Sequence, residues 1–169
     1  VSGKLNPIVL PLGFNPEKFR NSLLKKDKSK IKVGYFGRFE NMQKGYLEFI
    51  KAVNFLGEDF KNQNDVEYFL YGRGEINSYV ELSLFNNPEF LEGEELYKAY
   101  SQMDIVVMPS RYEPFGLTGL EAMASGNLLL ATSVVSAAVR GYGLNLLLKK
   151  ENKEIIEEWA TDSGVNVHL

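Results

Sequence analysis

The sequence predicts an α/β fold: a doubly wound parallel sheet of Rossmann-like type, with helices on both faces. Three observations carry this. Short apolar, β-branched runs at Ile31–Phe36, Val66–Tyr71, Asp104–Met108 and Leu128–Thr132 have the length and composition of buried parallel strands. Segments with helical spacing lie between them, the alternation that right-handed βαβ units require. Glycine or proline follows the first three of these runs directly, at Gly37, Gly72 and Pro109, so each of those strands opens into a loop at its carboxyl end.

Taken in order, Pro7–Pro11 is a short extended segment, and Leu12–Phe19 reads as a turn punctuated by Asn15-Pro16. Asn21–Lys30 is polar and lysine-rich, a linker composition, so residues 1–30 are expected to lead into a domain spanning 31–169. Ile31–Phe36 is the first strand. From Lys44 to Leu56, Leu47, Ile50, Val53 and Leu56 recur three apart, which predicts an amphipathic helix. Val66–Tyr71 is the second strand, ended by Gly72-Arg73-Gly74. A third glycine of the dinucleotide fingerprint is missing, because Asn77 stands there, so a classical NAD site is not expected. Ile76–Phe85 is expected to form a short helix, Phe90–Gly93 a brief strand, and Glu94–Met103 a helix. After the strand 104–108, Pro109 and Pro114 keep the loop out of helical geometry. Gly116 permits a sharp turn, and Leu117–Ser125 reads as a helix ended by Gly126. Leu128–Thr132 and Leu146–Leu148 are further strands, and Glu151–Ala160 a last helix.

Composition narrows the function. The 169 residues are 44% apolar and 24% charged, ordinary for one globular domain. A net charge of −3 and a pI of about 5.3 leave no overall basic excess, and no nucleic-acid partner is expected. Without cysteine, thiol nucleophiles, thiolate metal sites and disulfides are excluded; the single histidine, His168, leaves no multi-histidine metal site. Chemistry must come from carboxylates, Lys, Arg, Tyr or backbone amides. The longest apolar stretch, 128–139, is too short for a membrane helix. Val1-Ser2-Gly3 has neither an initiator methionine nor a signal-peptide profile, so a piece of a longer, cytoplasmic chain is expected.

In such sheets ligands bind beyond the carboxyl ends of the strands, where the strand order reverses. Gly37-Arg38, Gly72-Arg73-Gly74 and Ser110–Gly116 all fall there. Arg38 and Lys44 bracket one loop; they are either surface charges or the two fixed cations that a diphosphate requires. Glu121 shares a helix face with Leu117 and Ala124 that should pack on the sheet, where an unpartnered carboxylate costs several kcal/mol. Its partner is either a neighbouring side chain or the hydroxyls of a ligand.

The stretch Pro109-Ser-Arg-Tyr-Glu113-Pro-Phe-Gly116-Leu-Thr-Gly-Leu-Glu121-Ala-Met-Ala-Ser-Gly126 resembles the Glu, seven residues, Glu signature of retaining GT-B glycosyltransferases, particularly the group 1 (family 4) set. Glycogen synthases of archaeal type share it. Gly37-Arg38 and Lys44-Gly45 are similar to the family's Gly-Arg and Lys-Gly, and Pro11, Gly13, Asn15 and Phe19 to its lead-in from the interdomain linker. The likeness spans about Ile8 to Leu148 and is to the second half of the GT-B fold. It implies a donor-binding domain, with an N-terminal acceptor domain absent from these residues.

By that resemblance Arg38 and Lys44 hold the donor diphosphate, Gly116 and Leu117 donate backbone N–H groups, and Glu113 contacts the donor sugar. Glu121 accepts ribose hydroxyl bonds, with Gly37, Gly72 and Phe115 completing the donor site. Glu113, Arg38 and Lys44 are the implied catalytic groups. The implied reaction is transfer from a nucleotide-diphosphate sugar with retention, to a glycan or lipid-linked acceptor, with no cofactor and no metal. Peripheral membrane association is expected only of a full-length protein, and this chain alone is expected to bind nucleotide without appreciable turnover. Asn127-Leu128 and Ser133–Ala138 depart from the family's Gly-x-Pro-Val-Val and Gly-Gly patterns, which keeps a non-catalytic nucleotide- or sugar-binding module as the alternative. An epimerase or glycogen synthase would reuse the same architecture. A receiver-like domain ranks last, because cations stand where its acidic cluster would be.

Overall fold

In the computed structural model, residues 15–20, 29–40, 42–86 and 88–132 are described. The expected segments at 7–11, 146–148 and 151–160 lie outside them, as do most of the linker and the departing residues 133–138. The elements are α1 (Pro16–Arg20), β1 (Ile31–Phe36), a 3-10 turn (Met42–Lys44), α2 (Tyr46–Gln63), β2 (Val66–Tyr71), α3 (Gly93–Gln102), β3 (Ile105–Met108), α4 (Leu117–Ala124) and β4 (Leu128–Ala131).

The four strands form one sheet in the order β2-β1-β3-β4, every pair parallel. Alternation along the strands divides the core in two. Tyr35, Tyr68 and Leu70 face α2 and pack on Phe49, Ile50 and Val53. Phe36 and Val106 face the other way, onto Tyr100 and Met103 at the end of α3 and Ala122 of α4. Helices thus cover both faces, and the doubly wound expectation holds. Because the chain passes from β1 outward to β2 and then back across to β3, the strand order reverses between β1 and β3.

Several local expectations need correcting. Asn15-Pro16 opens a helix rather than a turn: the Asn15 Oδ1 accepts the Glu17 N–H at 3.1 Å, and proline occupies the first helical position. Residues 76–85 are not helical. There Asn77 Oδ1 takes the Tyr79 N–H at 3.0 Å and Glu81 Oε1 takes the Ser83 N–H at 2.9 Å, local bonds that compete with a helical ladder. The segment is instead fastened to α2, with Asn54 Nδ2 donating to the Glu81 carbonyl and Lys61 Nζ to the Leu84 carbonyl. In place of a strand at 90–93 there is a single bridge one residue earlier, between Glu89 and Tyr71. Helix α2 runs on to Gln63, beyond the expected Leu56, across a non-helical residue at Gly57 (φ 77°). No helix among the described residues is long and apolar enough to cross a membrane.

Candidate functional site

The loops after β1 and β2 remain paired beyond their strands. The Gly37 N–H donates to the Tyr71 carbonyl and the Phe39 N–H to the Arg73 carbonyl, both at 2.9 Å. Gly72 lies so close to its neighbour that a Cβ there would stand 1.7 Å from the Gly37 carbonyl oxygen. Beside this seam is a cavity of about 320 Å³, lined by Gly37, Arg38, Gly72, Arg73, Tyr100 and Glu121 together with apolar side chains including Phe36 and Phe90. Arg38 is exposed, and among the described residues no carboxylate pairs with it. The Arg73 guanidinium lies 5.0 Å over the Phe90 ring.

The loop after β3 meets the 3-10 turn across the point where the strand order reverses. Gly45 adopts φ +75° and passes so near this loop that a Cβ would fall 2.0 Å from the Pro109 carbonyl oxygen, while the Arg111 N–H donates to the Gln43 carbonyl at 2.7 Å. That approach sets Lys44 Nζ 2.6 Å from Glu113 Oε2, with the Glu113 side chain 8% exposed and that of Lys44 31%. Glu113 also accepts the Gly116 N–H at 3.0 Å on Oε1 and the Ser110 hydroxyl at 3.4 Å on Oε2. The carboxylate therefore braces the loop and satisfies the N–H of Gly116, the residue that caps α4. Leu117 opens α4 and is exposed, whereas Phe115 packs against Met108 and Leu120.

Glu121 finds its partner in α3. The Tyr100 hydroxyl donates to Glu121 Oε2 at 2.8 Å, so one oxygen of the carboxylate is satisfied by a neighbouring side chain. Burial raises the Glu121 carboxyl pKa above its ordinary 4.5, and the Tyr100 bond opposes that rise without cancelling it. Burial also pushes the Tyr100 phenol well up, and the Tyr71 phenol, on the same cavity, to about 12. Between the ordinary carboxyl pKa and the raised native one, the folded chain holds a proton that the unfolded chain has released, so Glu121 makes stability fall as pH rises through that window. Glu121→Gln, which keeps an acceptor for Tyr100 and removes the charge, is expected to flatten that slope and raise Tm at neutral pH. Thermal melts from about pH 4 to 7 check this, and an unchanged or lowered Tm at pH 7 would contradict it.

Of the residues singled out in the sequence, Gly37, Arg38, Gly72 and Glu121 meet around the cavity. Lys44, Glu113, Gly116 and Leu117 gather across the reversal point from it. Tyr100, Arg73 and Phe90 line the cavity without a sequence signal that marks them as site residues: Tyr100 lies in an expected helix, Arg73 in a Gly-x-Gly loop and Phe90 at the start of an expected strand.

The family "Glycosyl transferases group 1" matches residues 30–161. The chain is 34% identical over 124 residues to an uncharacterized glycosyltransferase of Methanocaldococcus jannaschii, covering 69% of this chain and 30% of that one. It is 43% identical over 94 residues to the D-inositol 3-phosphate glycosyltransferase of Nocardia farcinica, covering 53% and 20%. The chain thus spans less than a third of the length of these curated relatives. Among solved structures, WaaG, a glycosyltransferase involved in lipopolysaccharide biosynthesis, aligns with TM-score 0.54 at 19% identity over 77% of this chain and 35% of its own. The C-terminal domain of the group 1 protein LpcC from Francisella tularensis aligns with TM-score 0.50 at 22% identity, over 82% of this chain and 89% of that domain. These likenesses are of fold, and the fold is that of GT-B glycosyltransferases. With the family match running through β1, the cavity loops and α4, the chain belongs to the group 1 glycosyl transferases.

Proposed function

We propose that this chain is the donor-binding half of a retaining glycosyltransferase, taking a nucleotide-diphosphate sugar whose sugar passes to a glycan or lipid-linked acceptor held by a separate N-terminal domain. The observation that carries the reading is the meeting of Arg38, the paired Gly37 and Gly72 loops and the half-buried Glu121 around one cavity at the carboxyl ends of β1 and β2. Residues 31–169 form the nucleotide-sugar-binding unit, with 1–30 as its lead-in. Family membership supports sugar transfer as the chemistry, and the extent of the alignment with a C-terminal domain supports the assignment to that half.

Arg38 and Lys44 hold the diphosphate, the first N–H groups of α4 add backbone donors, and Glu121 receives the ribose hydroxyls. Negative charge grows on the departing diphosphate in the transition state, and these donors stabilise it more than they stabilise the bound donor. Glu113 contacts the sugar and keeps Lys44 in reach. Such a site requires no metal ion, since the cations are side chains.

Calorimetric titration with UDP, GDP, ADP and their glucose or N-acetylhexosamine conjugates tests the reading. One nucleotide series is expected to bind, and Arg38→Ala and Glu121→Ala each to weaken it by about 1.5–3 kcal/mol, roughly tenfold or more. No binding at millimolar concentration, or binding indifferent to both substitutions, would overturn it.

A further inference from the structure

Tyr100 is held from every side. Its ring is 1% exposed, stacks on Phe36 with centroids 3.8 Å apart and planes 10° from parallel, and meets the edge of Phe19 at 5.6 Å. Its carbonyl accepts the buried Asn127 Nδ2 at 2.8 Å. A phenol so confined has one place for its hydroxyl, and there it donates to Glu121 Oε2 at 2.8 Å. Glu121 has three side-chain torsions, and no described residue is seen to donate to its Oε1, although the residue lines the cavity.

We infer that Tyr100 is a positioning residue for ligand recognition: its hydroxyl clamps one oxygen of Glu121 so that the carboxylate presents its remaining acceptor sites to the vicinal hydroxyls of a ribose in the cavity. This rests on the reading of Glu121 as the ribose acceptor given above. An ionised carboxylate has about four lone-pair sites; the Tyr100 bond takes one and leaves the outer oxygen whole. A free glutamate would have to give up rotamer freedom on binding, and the clamp removes that cost beforehand. Thr118, on the same cavity, donates to the Phe36 carbonyl at 3.5 Å and so ties α4 to the residue on which Tyr100 stacks. A purely structural Tyr100–Glu121 bond would satisfy a buried carboxylate without altering how the cavity tells one nucleotide from another.

The test uses the 169-residue chain, the nucleoside diphosphate that it binds and the 2′,3′-dideoxy analogue of the same base. Wild type is expected to bind the ribose form about tenfold more tightly than the dideoxy form, the loss of a charge-assisted bond. Tyr100→Phe keeps the ring and its stacking and drops one oxygen; it is expected to bring that ratio close to one while leaving affinity for the dideoxy form unchanged. Tyr100→Met likewise drops the hydroxyl while filling the site with an unbranched apolar side chain, and is expected to lose the same discrimination, which keeps the test open should the Phe variant fail to fold. Either Tyr100 variant retaining the wild-type ratio, or weakening both forms equally, would overturn the inference. Wild type that binds both forms equally, or neither, would instead overturn the ribose reading beneath it, independently of any Tyr100 variant.

Discussion

Gly72→Ala is expected to lower Tm by about 5–15 °C and to abolish measurable nucleotide binding, a large effect for a single methyl group. The added carbon would lie 1.7 Å from the Gly37 carbonyl oxygen and 2.9 Å from its carbon, and 3.1 Å from the Phe39 ring. Neither backbone can retreat freely. The Gly72 N–H is held by the Glu89 carbonyl at 2.9 Å, and the Gly37 and Phe39 N–H groups by the Tyr71 and Arg73 carbonyls at the same distance. Overpacking of this kind costs about 1–3 kcal/mol, and each ladder bond lost adds about 1 more. At about 2–4 °C per kcal/mol for a chain of this size, the stated drop follows. Since the same seam borders the cavity, separating the loops also displaces Arg38. A variant melting with wild type and binding nucleotide normally would show that the two loops do not approach so closely.

Glu113→Ala is expected to cost about 2–3 kcal/mol of stability, read as a shifted midpoint in chemical denaturation at unchanged slope. One carboxylate receives the Lys44 ammonium at 2.6 Å, the Gly116 N–H at 3.0 Å and the Ser110 hydroxyl at 3.4 Å. The Lys44 contribution is discounted, because that side chain is 31% exposed and water reclaims its ammonium. The Gly116 contribution is kept in full, since that residue is buried and its N–H would be stranded, whereas the Ser110 hydroxyl at 3.4 Å is a weak bond that adds little. Glu113→Gln is expected to recover part of the loss, keeping an acceptor for Gly116 while giving up the ion pair. Equal stability of the Ala variant and wild type would remove Glu113 from its bracing role.

β1, β2 and β3 were legible because burial leaves a signature that needs no partner to read, and β4 because its run is apolar, although Leu128 and Leu130 stand exposed. Ile31–Phe36 and Val66–Tyr71 fall at their expected bounds, and 104–108 and 128–132 within one residue of theirs. The differences fall where polar side chains decide the backbone: Asn77 and Glu81 turn the 76–85 segment away from helix, and Asn15 opens a helix where a turn is expected. The extension of α2 past Gly57 was hidden by a glycine that reads as a stop.

From the order of its residues alone, the chain declares a parallel α/β sheet, its loop-forming ends and a family signature around Glu113 and Glu121, since periodicity, turn chemistry and motif spacing are local properties of a sequence. Which loops face one another is not local. The sheet order puts β1 beside both β2 and β3, which brings Gly72 onto Gly37 and Lys44 onto Glu113, and the packing of α3 and α4 on one face of the sheet brings Tyr100 onto Glu121, pairs separated by 35, 69 and 21 positions. The partner of a buried carboxylate is chosen by packing geometry, and only the tertiary structure could make Tyr100 that partner.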